Sequence, residues 1–229
     1  MEKEQADIIN PKKFLLQAEA FVEKNKTMVT GALAVVIAIP ILWFAYNKWY
    51  VEPRTQEAYD LMFKAEQYFA MDSFDLALNG RGDITGFVQI IDEYGSTQAG
   101  NLACYYAGIC CLRLGRFEDA INYLEDFSSS DVIVSSMALG AIGDAYRELG
   151  DSENAVQYYE RAVRRRPNNF TAPLFLKKAG LTYEEDLQNF EKAISLYSEI
   201  EREYPLSREG QEITKFLYRA RAKAGLSDD

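Results

Sequence analysis

The side chains in this 229-residue chain best equipped for covalent or metal chemistry are three cysteines, Cys104, Cys110 and Cys111. A thiolate attacks electrophilic carbon and holds soft metals, and a vicinal pair such as Cys110-Cys111 is a redox couple in the right surroundings. Each of these uses needs help that the chain does not supply. There is no histidine, which removes Ser/His/Asp and Cys/His nucleophilic sites and most zinc arrangements. An odd number of cysteines crowded into one short stretch is no disulfide framework. Acid–base work would fall to carboxylate pairs, and Glu184-Glu185 is expected on an exposed helix end as a solvated face. Arg81-Gly82-Asp83 spells an adhesion tripeptide, but it sits in a glycine-flanked charged turn, Asn79 to Asp83, where that order arises by chance. The Arg164-Arg165-Arg166 run is expected to close a helix, where positive charge complements the C-terminal dipole. No catalytic residue, cofactor, metal or small-molecule substrate is expected, and the chain reads as a non-enzyme.

The elements that must position these residues show a repeat. Gly108, Gly115 and Ala120 recur 35 positions later as Gly143, Gly150 and Ala155, with Leu124 answered by Tyr159 and Phe127 by Ala162. The second copy carries Leu139, Ile142-Gly143, Tyr146, Gly150, Ala155, Tyr159, Ala162 and Pro167. This spacing resembles the tetratricopeptide repeat, a pair of antiparallel helices A and B. Gly143 and Ala155 are small because the two helices cross closely there, and Leu139, Tyr146 and Tyr159 fill the space around the crossing. Gly150 occupies a turn where positive φ is cheap only without a Cβ. Pro167 ends helix B.

A third, looser copy uses Leu176, Ala179-Gly180, Tyr183, Ala193, Tyr197, Ile200 and Pro205. It fits if one residue is inserted in the A–B turn, where Leu187-Gln188-Asn189 replaces the glycine. The clear repeats therefore cover about residues 101–134, 136–169 and 173–207. A degenerate unit precedes them, with helix A over Thr55 to Met71 and helix B over Ile84 to Tyr94. A capping helix from about Arg208 to Lys223 follows, since a terminal unit meets water on one face. The fold class is all-α: a solenoid of three to four helix-turn-helix units over residues 51–229, with no strands.

Ahead of it, Met28 to Tyr46 is a run of 19 residues without a charge. At 1.5 Å per residue it spans about 28 Å, enough for a hydrocarbon core of roughly 30 Å. Trp43, Phe44, Tyr46, Trp49 and Tyr50 gather at one end as an interfacial belt. No small-x-small cleavage site follows, so residues 28–50 read as an uncleaved transmembrane signal anchor. Residues 1–27 read as a tail with a short amphipathic helix from Asn10-Pro11 onward (Phe14, Leu15, Ala18, Phe21, Val22). Lys3, Lys12, Lys13, Lys24 and Lys26 precede the span, against Lys48 and Arg54 just after it. By the positive-inside rule the tail is cytoplasmic and the solenoid lies across the membrane, in the periplasm of a bacterium. Thr30, Ala34 and Ala38 form a small-xxx-small stripe on which another membrane helix can approach. From residue 51 onward the chain holds 19 Lys and Arg against 30 Asp and Glu, a net charge of −11. So acidic a domain lacks the cations that phosphate contacts require, and nucleic acid is excluded as a partner.

The tetratricopeptide resemblance implies that helix A residues offset from the motif glycine line a concave groove for a protein partner. Carried onto this sequence, the first repeat offers Leu102, Tyr105, Ile109, Leu112 and Arg113. The second offers Met137, Gly140, Asp144, Arg147 and Glu148. The third offers Leu174, Lys177, Leu181, Glu184 and Glu185. The lysine–asparagine clamp of repeats that bind acidic C-terminal tails is missing, so an apolar helix or extended chain fits the first repeat's part better. Either this groove is open or the preceding helix, Thr55 to Met71, fills it. Cys104 and Cys111 take motif positions that should be buried.

The whole plan of tail, span and repeats resembles the YfgM family, ancillary subunits of the SecYEG translocon. The stretches Asp72-Ser73-Phe74 to Gly82, Gly86-Phe87 to Tyr94-Gly95-Ser96 and Ala99-Gly100-Asn101-Leu102-Ala103 resemble its Bacteroidota type. The resemblance implies an inner-membrane protein that partners a membrane-anchored periplasmic chaperone and receives nascent chains from the Sec translocon. Two other readings use the same repeats: a scaffold for envelope assembly or cell division, and an organellar import-receptor-like protein of opposite topology.

Overall fold

The computed structural model describes residues 19–165 and 167–226. The expected tail helix, with Phe14, Leu15 and Ala18, falls largely outside the described residues, as do Lys3, Lys12, Lys13 and Arg166; Phe21 and Val22 are exposed. The chain divides into two compact units, Met1–Pro53 and Arg54–Asp229.

In the first unit α1 runs over Lys26–Tyr46 and a π-helical turn covers Asn47–Val51. None of the residues of α1 is buried, and α1 continues through Pro40. The Thr30 hydroxyl of the small-residue stripe turns back on its own helix, donating to the carbonyls of Lys26 at 2.9 Å and Thr27 at 3.1 Å. Among the described residues this is the one helical segment long and apolar enough to cross a membrane. Tyr46 and Tyr50 stack at 5.3 Å across the π turn.

The second unit is helical throughout: α2 (Glu52–Ala70, from Arg54 on), α3 (Phe74–Asn79), α4 (Phe87–Tyr94), α5 (Gln98–Arg113), α6 (Phe117–Asp126), α7 (Val132–Glu148), α8 (Ser152–Arg165), α9 (Thr171–Glu185), α10 (Phe190–Glu203) and α11 (Arg208–Lys223). The described residues contain no strand, only an isolated antiparallel bridge between Arg81 and Ile84. Side-chain caps start at least five of these helices. Thr97, Asp131, Asp151, Asn189 and Ser207 accept backbone N–H groups of Gly100, Val134, Asn154, Lys192 and Gly210, satisfying donors that the helix itself leaves orphaned.

Consecutive helices pack on one another from α4 to α11, and the first helices of successive pairs also touch: α5 on α7, α7 on α9, α9 on α11. That second set of contacts makes the pairs an α-solenoid rather than a string of hairpins. The crossings have the expected cause. A Cβ on Gly143 would stand 2.7 Å from the Tyr159 ring and 3.1 Å from the Ala155 carbonyl oxygen, and one on Gly108 would meet Leu124 Cγ at 2.5 Å.

The A–B turns follow the sequence equally closely. Gly115 and Gly150 take φ of +73° and +80°, letting Arg116 N donate to Cys111 O at 2.8 Å and Asp151 N to Tyr146 O at 2.9 Å. In the third pair the left-handed position falls to Gln188, φ +50°, and Asn189 N reaches Tyr183 O at 2.7 Å. The closing bond there spans six residues where the other two span five, which is the inserted residue.

The degenerate first unit differs from expectation. Its second helix starts at Phe87, not Ile84, because Ile84 is held in the bridge to Arg81 and Gly86 is extended as the N-cap. Between the two helices stands a further one, α3, six residues long and too short to show a helical period in the sequence. Residues of α2 (Ala58, Met62, Ala65) share a buried cluster with Phe87, Tyr94, Ala103 and Cys111, and a second cluster runs from Ala155 to Ala220.

Candidate functional site

Three first helices, α5, α7 and α9, line a groove of about 950 Å³. One end is apolar: Tyr105, Ile109 and Leu112 from α5 face Met137 and Ala141 of α7. Leu174 and Leu181 come from α9, and Phe117 stands beside the turn at Gly115. The other end carries Asp144, Arg147, Glu148 and Lys178.

Three of the four polar residues on this wall are paired with neighbours: Asp144, Arg147 and Lys178. Lys178 Nζ donates to both oxygens of Asp144, at 2.7 and 2.6 Å, and the Tyr159 hydroxyl donates to Asp144 Oδ1 at 2.7 Å. Burial and then the Asp144 charge push the Tyr159 hydroxyl far above its ordinary pKa, so it stays a donor. Arg147 Nε donates to Asp186 Oδ2 at 2.7 Å and Nη2 to Glu185 Oε2 at 3.0 Å, bonds that raise its already high pKa. Both cations of this wall are already engaged by carboxylates, Arg147 by two of them, and Glu148 adds a further negative charge, so an acidic ligand gains little from them and apolar contact dominates.

Of the residues expected to face a partner, Tyr105, Ile109, Leu112, Arg113, Met137, Asp144, Arg147, Glu148, Leu174 and Leu181 are brought together here. Leu102 is not a wall of the groove but is half-buried against the α2–α7 cluster. Gly140 is buried, because a Cβ there would enter the Phe175 ring, and its neighbour Ala141, itself buried, lines the floor of the groove instead. Lys177 turns away to pair with Glu212 of α11, and Lys178 replaces it as the cation of the wall.

The expectation that Glu184 lies on a solvated face is wrong. Its side chain is 0% exposed, and it pairs with Arg219 at 2.7 Å and Lys223 at 3.0 Å. The reason is the capping helix, whose cations arrive from 35 and 39 positions along the chain. Burial pushes the carboxyl up, but Arg219, Lys223 and the Tyr197 hydroxyl outweigh it and hold it below the usual glutamate range.

The preceding helix leaves the groove open. Phe69 of α2 packs edge-on against Tyr106 at 5.0 Å and no α2 residue lines the groove. On α5, Tyr106 and Tyr105 thus serve different surfaces: one closes the core toward α2, the other faces the groove.

Burial holds the cysteines as thiols. Burial pushes the thiols of Cys104 and Cys111 up to about 11 and that of Cys110 up to about 12, keeping them protonated at neutral pH. All three are buried and unbridged. Among the described residues no group of three or more Cys, Asp or Glu side chains is placed to hold a metal ion.

No curated protein matches the chain. Two overlapping stretches, residues 111–170 and 141–208, match the family model of the tetratricopeptide repeat, so the helix pairs α7–α8 and α9–α10, with the second helix of the pair before them, are tetratricopeptide repeats, modules of protein–protein interaction.

Proposed function

We propose that the chain is a membrane-anchored tetratricopeptide-repeat protein that holds a protein partner in the α5–α7–α9 groove. The reading extends to an ancillary subunit of the Sec translocon. In it, α1 spans the inner membrane with the tail inside, and the groove faces the periplasm. There it serves a membrane-anchored chaperone and chains emerging from the translocon. The observation that carries the proposal is the open groove of about 950 Å³ shared by three successive repeats. Its apolar end suits an amphipathic helix or extended chain better than a charged peptide. The apolar helix α1, none of whose residues is buried, supports the anchor, since so long an apolar stretch left in water would be a large liability.

A photo-crosslinking residue placed in the full-length chain, in native membranes, tests both parts separately. At Ala34 it should capture translocon subunits, and at Ile109 a periplasmic chaperone or a chain in transit. If Ile109 captures cell-wall or outer-membrane assembly factors and Ala34 captures no Sec component, the translocon reading fails and the envelope scaffold takes its place.

A further inference from the structure

A second concavity lies on the other side of α7. The groove uses Met137, Ala141, Asp144 and Glu148 of that helix, whereas Ser135, Ala138 and Ile142 face the second pocket. At about 100° per residue the two sets are centred roughly 120° apart, so they are separate surfaces. The second pocket, about 350 Å³, is walled by the end of α6, the loop after it, α7 and α8. Its floor is apolar: Leu124, Ala138 and Ile142 are buried. Its rim is cationic, with Arg161 and Arg165 one turn apart on α8.

The walls are held in place. Asn101 grips the loop from two sides, donating to Ser128 O at 2.8 Å and accepting from Ser128 N at 2.9 Å. Arg165 Nη2 donates to Ser129 O at 3.0 Å, which ties the far wall to α8. Arg161 lies over the Tyr158 ring at 4.4 Å, a contact that favours holding its guanidinium beside the opening. The one carboxylate among the lining residues, Glu125, accepts a hydrogen bond from the Tyr158 hydroxyl.

A fixed apolar floor takes a branched or aromatic side chain, and two guanidinium groups at its edge match carboxylates next to that side chain in sequence. The rest of the domain repels such a ligand, since residues 51 onward carry a net charge of −11. An acidic segment would therefore be attracted at this patch and pushed away from most others. We infer that the pocket between α6, α7 and α8 docks an acidic segment of a partner protein, one apolar side chain entering the floor and neighbouring carboxylates meeting Arg161 and Arg165. This site lies outside the groove, goes beyond the proposed function and stands independently of it.

The test uses the full-length chain in mild detergent and a fluorescent peptide in which Leu-Phe is flanked on both sides by paired aspartates. A control peptide carries asparagines instead. Saturable binding at low ionic strength, at least about tenfold tighter for the aspartate peptide, is expected. Arg161→Glu should weaken it by about tenfold or more, and Arg161→Lys should restore part of the loss. Because Arg161 is exposed, both variants keep the fold, which circular dichroism checks. Ile109→Asp, in the groove, should leave the peptide's affinity unchanged. The inference is overturned by absence of saturable binding, by equal binding of Arg161→Glu, or by loss of binding in Ile109→Asp.

Discussion

Arg219 closes on Glu184 with two prongs, Nε to Oε1 at 2.7 Å and Nη2 to Oε2 at 2.8 Å, joining the last repeat to the capping helix. Glu184 has no exposed side-chain surface, whereas Arg219 is 41% exposed. The pair is therefore asymmetric. Losing the carboxylate leaves cations that can turn to water. Losing Arg219 leaves a buried charge with only Lys223 and Tyr197 to hold it.

That asymmetry sets a pH dependence. The folded pKa of Glu184 lies below its ordinary value, so its contribution is present above the unfolded carboxylate pKa of about 4.3 and is lost as pH falls through the folded value. Glu184→Gln should cost about 1–2 kcal/mol at neutral pH, discounted for the exposure of its partners. The gap to wild type should narrow as pH falls below about 4. Urea unfolding of both proteins at neutral and acid pH measures it, and a constant gap would mean the carboxylate is not the source.

Gly143→Ala places a methyl group 2.7 Å from a buried tyrosine ring. The helix gains about 1 kcal/mol of intrinsic propensity from the change, but overpacking costs roughly 1–3 kcal/mol, so the net is destabilising. In a chain of this size each kcal/mol moves Tm by about 2–4 °C. Combining it with Tyr159→Leu, which makes room, should recover part of the loss. A fully additive double variant would place the cost elsewhere.

Gln188→Gly should stabilise the fold. Its φ of +50° costs an ordinary L-residue about 1 kcal/mol, and glycine removes that cost while losing a few tenths to backbone entropy. Tm should rise by 1–2 °C on the scale of about 2–4 °C per kcal/mol. The mirror change, Gly150→Ala at φ +80°, should lower it.

The sequence carried what local geometry demands. Gly108 and Gly143 are legible because nothing larger fits at a helix crossing, and Gly115 and Gly150 because nothing else takes that φ cheaply. The groove residues Ile109, Asp144 and Leu181 are legible once the helix phase is known, because the phase fixes the face. What stayed hidden depends on contacts far along the chain. Glu184 and Glu185 look alike in sequence, and only the arrival of Arg219 and Lys223 buries one of them. Arg165 looks like the end of a helix, yet its reach to the Ser129 carbonyl turns it into the wall of a pocket. The helix Phe74–Asn79 is too short for periodicity to register.

The two ends of the groove predict different outcomes for a bound partner. Ile109→Asp puts a charge among Tyr105, Leu112 and Met137, where a docking apolar side chain would be desolvated. Truncating or charging such an anchor typically costs 2 kcal/mol or more, about thirtyfold in affinity. Lys178→Met removes one partner of Asp144 but leaves its bond to the Tyr159 hydroxyl and keeps the groove's shape. It should cost the partner less than about threefold, because Lys178 is already engaged by the Asp144 carboxylate and offers little to a ligand. Both positions are only partly buried, so the folded state survives each change. Affinity measured against the crosslinked partner ranks the two. If Lys178→Met proves the more damaging, the partner is read by charge at the α7–α9 end, and the apolar end is merely where the solenoid turns toward α2.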